Sequence, residues 1–100
     1  MEDMKKIYNF INDNAKKICR IEVGESIFNN ECIFKNIDDI KLTVDEDILY
    51  LKIYSRNLEI GEVPIDFGSV LYVQEVENLF NICFKVSNVS RASIKLCKKL

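Results

Sequence analysis

Four cysteines, sixteen carboxylates and no histidine set the chemistry that this sequence can attempt. Cys19, Cys32, Cys83 and Cys97 are spaced by 13, 51 and 14 residues. No pair has the C-x-x-C spacing of a zinc or dithiol site, and no histidine completes a mixed metal set. A nucleophilic thiol wants a neighbouring cation to lower its pKa. Cys19-Arg20 and Cys97-Lys98 supply one by adjacency, but neighbours along a regular strand point to opposite faces. The expectation is therefore four reduced, mostly buried thiols acting as small apolar groups. Asp38-Asp39 and Asp45-Glu46-Asp47 could face a hard cation, yet adjacent carboxylates in strands and turns ordinarily stay solvated, and the spaced ligands of a calcium loop are missing. Three scattered glycines make neither G-x-x-x-x-G-K nor G-x-G-x-x-G. No catalytic residue, metal or cofactor is expected, and the chain reads as a binding protein rather than an enzyme.

Binding then rests on the distribution of charge. The net charge of −2 conceals three zones. Residues 1–20 sum to +2, residues 21–85 to −8, and residues 86–100 to +4. A duplex nucleic-acid binder presents a dense basic face, whereas the body of this chain is acidic. Nucleic acid is thus an unfavoured partner and a protein a favoured one, including a second copy whose acidic middle meets the basic tail. Arg56 and Arg91 are the first interaction candidates, because arginine is enriched at interfaces and lysine depleted. Lys95, Lys98 and Lys99 of the tail join them. Tyr50, Tyr54, Phe80 and Phe84 could form a stacking platform for bases. Aromatics in strands more often fill a core and its rim.

The elements that position these groups follow from periodicity. Met4, Ile7, Tyr8, Ile11, Ala15, Ile18 and Cys19 recur at steps of three and four, with Phe10 and Asn14 off the stripe. This predicts an amphipathic helix at about residues 2–19, acidic at its start and basic in its last turn. From Ile21 the period becomes two. Residues 40–44 and 49–54 alternate around a polar turn and predict one hairpin; residues 70–76 and 79–86 around Glu77-Asn78 predict another. A short final strand falls at 93–97, with its edge open to another chain. Another strand is expected near 31–34, within a poorly patterned stretch at 25–36. Residues 61–68 read as a connection, with Pro64 at an edge or strand start and Gly24 and Gly68 as turn residues. The fold class is α+β: a helix followed by a small antiparallel β-barrel or sandwich of five or six strands at about 21–97, in one domain spanning 1–100. No signal peptide or bilayer-length apolar run occurs, so a cytoplasmic location and no membrane partner are expected.

Residues 60–96 carry a further pattern. Val63-Pro64, Gly68, Val70, Val73, Phe84 and Val86 fall at the places of a "vP…G" segment, a V-x-V strand and an aromatic strand ending in Val. This resembles the N-terminal barrel that precedes the PilZ domain in flagellar-brake proteins. The resemblance implies a regulatory or adaptor barrel acting through protein–protein interaction. Cyclic di-GMP binding is not expected, because the R-x-x-x-R run and the [DN]-x-S-x-x-G motif of PilZ domains are missing. Arg20, Arg56 and Arg91 lie far apart in sequence, and residues 57–61 do not complete the second motif. Two alternatives stand beside it: a phage- or mobile-element inhibitor that docks on a host factor, and a single-stranded nucleic-acid-binding barrel.

Overall fold

The computed structural model describes residues 2–25 and 30–99. Among them one helix, α1 (Glu2–Asn14), precedes eight strands: β1 (Ile18–Glu25), β2 (Asn30–Lys35), β3 (Asp39–Asp45), β4 (Ile48–Ser55), β5 (Leu58–Asp66), β6 (Val70–Val76), β7 (Leu79–Lys85) and β8 (Arg91–Lys98). A single 3-10 turn, Phe67–Ser69, links β5 to β6. The strands form two antiparallel sheets, ordered β2-β1-β8-β7-β6 and β3-β4-β5. The α+β class with a mostly-β body holds. The strand number is eight rather than five or six, and two sheets with open edges take the place of a closed barrel.

The helix is shorter than its stripe predicts. Ile7 and Ile11, four residues apart, are both wholly buried, each worth about 1.5–3 kcal/mol. Helical order ends where the Asn14 side-chain amide donates to the Phe10 carbonyl at 2.8 Å and Lys17 N–H donates to the Asn14 carbonyl. Lys16 and Lys17 fall beyond the end, so the last turn holds no basic residue. Ile18 and Cys19 fit the helical spacing but also begin an alternating run through Ile21 and Val23. Pairing of that run with β2 and β8 wins. Ile18 is buried as expected, but from a strand. Phe10, off the apolar stripe, is also buried and stacks on Phe80 with centroids 4.3 Å apart. Tyr8, on the stripe, is 40% exposed.

Both predicted hairpins form, as β3–β4 and β6–β7. Glu46 and Glu77 take positive φ at the turns. The final strand is β8, and it is no edge. It pairs with β1 on one side and β7 on the other, at the centre of the five-stranded sheet. The strand expected near 31–34 is β2, and residues 26–29 of that stretch lie outside the described residues. The expected connection at 61–68 is instead mostly β5, an edge strand with Pro64 exposed, where a missing N–H does no harm. Gly24 lies inside β1 and Gly68 in the 3-10 turn.

Register explains the core. Phe80, Leu96, Ile21 and Phe34 form one row across the five-stranded sheet, and Ile82, Ile94 and Val23 form the next. Leu51, Ile53, Val63 and Ile65 face them from the smaller sheet and are buried. The Phe34 ring rests on Gly61, so close that a Cβ built there would lie 2.3 Å from the ring. That contact joins β2 to β5 and accounts for a glycine in mid-strand.

Candidate functional site: a basic groove at one end of the sandwich

Three chain-distant corners meet at the end of the sheets where β4 finishes. The first is the start of β1, where the register skips between Ile18 and Arg20. This β-bulge leaves Cys19 as the extra residue, and its thiol donates to the Cys97 carbonyl at 3.6 Å. Cys19 and Arg20 consequently line one groove together. The second corner is Lys35-Asn36-Ile37-Asp38, between β2 and β3. Ile37 N–H donates to the Cys19 carbonyl at 3.3 Å and Asp38 N–H to the Tyr54 carbonyl at 2.9 Å. The third is the β4–β5 turn, where Arg56 and Asn57 take φ of 53° and 65°. Arg56 N–H donates to the Asp38 carboxylate, and Ser55 Oγ donates to the Asn36 carbonyl at 2.7 Å. Lys99 closes the rim, its N–H donating to the Lys17 carbonyl at 2.8 Å.

The result is an open groove of about 470 Å³ whose ionic lining, among the described residues, is Arg20, Lys35, Arg56 and Lys99 with one side-chain carboxylate, Asp38. Backbone bonds fix its corners, so the cations are held on a rigid frame. Arg20 is in part compensated: its Nε lies 3.2 Å from Glu22 Oε2. The alignment makes no hydrogen bond, so this buried Nε has an ionic partner but no hydrogen-bond acceptor. The contact is a charge pair between Arg20 and Glu22.

Of the predicted interaction residues, the structure brings together Arg56 and Lys99. Arg91 begins β8 at its far end. Lys95 is exposed and pairs in register with Glu22 and Asn81. Lys98 places its ammonium 5.6 Å from the centroid of the Phe10 ring. Arg20 and Lys35 are the groove cations that sequence reasoning did not single out. The only signal was their position beside strand ends, since no motif links them to Arg56.

The other candidates disperse. Phe80 is buried and Phe84 packs against the core. Tyr50 and Tyr54 alternate with the buried Leu49, Leu51 and Ile53 of β4 and so point outward, with Lys41 lying 4.9 Å from the Tyr54 centroid. These four aromatics share no platform. The cysteines are unpaired in the structure, but none is buried: Cys32 is exposed and the other three are intermediate. Their strands either edge the sheet or turn them to its outer face. Burial, then the Glu22 carboxylate, push the Cys97 thiol above its usual value, against the pull of Arg20. A hydrogen bond with Cys83 raises Tyr72. Asp39 is occupied by Ile40 N–H at 2.9 Å and Lys16 at 3.5 Å. Among the described residues no three cysteines or carboxylates gather as metal ligands, and no helix is long and apolar enough to cross a membrane. Comparison with protein-family models, curated proteins and solved structures yields no match.

Proposed function

We propose that this chain is a non-enzymatic regulatory or adaptor module that holds an acidic protein surface in the groove of Arg20, Lys35, Arg56 and Lys99. The observation that carries the reading is their convergence: among the described residues, four cations from four chain segments line one groove with a single side-chain carboxylate, in a chain whose net charge is negative. Such a local field steers an anionic partner and fixes its register. The cyclic di-GMP companion barrel that residues 60–96 resemble agrees with a regulatory role needing no nucleotide. Free thiols suit a reducing, cytoplasmic setting.

Fluorescence anisotropy with a labelled deca-glutamate peptide tests the proposal. Binding at 50 mM salt should weaken at least about tenfold in Arg56→Glu/Lys99→Glu, equivalent to about 1.4 kcal/mol. Lys95→Glu, outside the groove, should leave it unchanged. Equal loss in both variants would refute the groove. Tighter binding of single-stranded oligo-dT than of the peptide would favour the nucleic-acid alternative, and a saturable cyclic di-GMP isotherm would show a divergent nucleotide domain.

A further inference from the structure

We infer that the acidic surface taken by the groove is the Asp45-Glu46-Asp47 turn of a second copy, in a closed two-fold dimer; the inference rests on the groove being a docking site. The three-stranded sheet is electrically polar along its strands. One end of β4 carries the groove, and the other carries Asp45, Glu46 and Asp47, all exposed. Asp47 and Asp3 line one surface hollow with Met4, Phe67, Gly68 and Val70, and no cation lines it among the described residues. The eight residues of β4 hold the two ends about 23 Å apart at ~3.3 Å per residue. Two copies lying antiparallel along this sheet bring each turn to the other's groove, forming the same contact twice. That arrangement closes, whereas a head-to-tail contact leaves one turn and one groove free and propagates.

Apolar groups flank both charged ends in matching order. Val44, 53% exposed, precedes the acidic turn, and Leu58, 70% exposed, follows Arg56-Asn57.

Sedimentation velocity from about 5 to 200 µM tests this with charge reversals. The wild-type chain should dimerise at 50 mM salt, with association weakened at least about tenfold at 500 mM as the Debye length shrinks. Arg56→Glu/Lys99→Glu and Asp45→Lys/Asp47→Lys should each be monomeric alone, with unchanged circular dichroism. An equimolar mixture of the two should form a heterodimer, because it opposes each altered end with its complement. A monomeric wild type, a dimer indifferent to reversal, an open-ended series of oligomers or a mixture that stays monomeric overturns the inference. In any of these cases, deca-glutamate binding that Arg56→Glu/Lys99→Glu abolishes would leave the docking groove standing. Failure of both would remove both.

Discussion

Gly61→Ala probes the contact that joins the two sheets. The new methyl carbon would lie 2.3 Å from one ring carbon of Phe34 and 2.8 Å from the next, well inside van der Waals contact. The Phe34 ring must swing away from the row it shares with Ile21. Overpacking of this kind costs about 1–3 kcal/mol. Against it stands a gain of about 0.4–1 kcal/mol from a stiffer unfolded chain, since Gly61 has no positive φ. The net expectation is a destabilisation of about 0.5–2 kcal/mol. In a Phe34→Ala background the obstacle is gone and only the gain remains, so the same Gly61→Ala change should stabilise by about 0.5 kcal/mol. Urea unfolding followed by circular dichroism, extrapolated linearly for all four chains of the cycle, reads both values. The reasoning is refuted by Gly61→Ala stabilising the wild-type background, or by the same effect in both backgrounds.

Phe10→Ala should cost about 3–5 kcal/mol, because it empties a buried site and removes the stacked partner of Phe80; a thermal melt that barely moves would show that α1 is not seated there. Arg56→Asn should raise stability by about 0.5 kcal/mol while weakening peptide capture, since Asn accepts the φ of 53° more readily. Iodoacetamide labelling at pH 8, read by peptide mass spectrometry, should modify exposed Cys32 first and Cys97 last. The fold favours the neutral Cys97 thiol, so its contribution is present below the unfolded pKa of about 9 and disappears as pH rises through the higher folded value. The wild-type chain should therefore lose more stability than Cys97→Ala between pH 8 and 11, and parallel curves would contradict that assignment.

The hairpins β3–β4 and β6–β7 were legible because both partners lie in one short window, where alternation and a polar turn specify register without further information. Strand order was not legible. Nothing in residues 93–97 shows that β8 sits between β1 and β7 rather than at an edge, because that depends on partners some 70 residues away in sequence. The end of α1 was misplaced because Ile18 and Cys19 satisfy both periods, and tertiary pairing chose between them. β5 reads as a connection in sequence because Gly61 and Pro64 interrupt strands in general; here one lies under Phe34 and the other on an open edge. Arg56 and Lys99 could be named from residue type and charge zone. Arg20 and Lys35 could not, since a groove assembled from four segments leaves no spacing to find.

The central place of β8 also has a consequence in time. The β1–β8 pairing must wait until the last strand has been made. At ~5–20 residues per second, translation separates β1 from β8 by roughly 4–14 s. Through that interval β1 can pair only with β2, with its other edge and the apolar residues Ile21 and Val23 uncovered. Such sequence-distant pairing slows folding through high contact order. The nascent chain therefore exposes a sticky hairpin for far longer than an isolated hairpin takes to form, about 1–10 µs. A nascent chain stalled before residue 91 should accordingly hold chaperones on β1 and release them once residue 98 has cleared the ribosome.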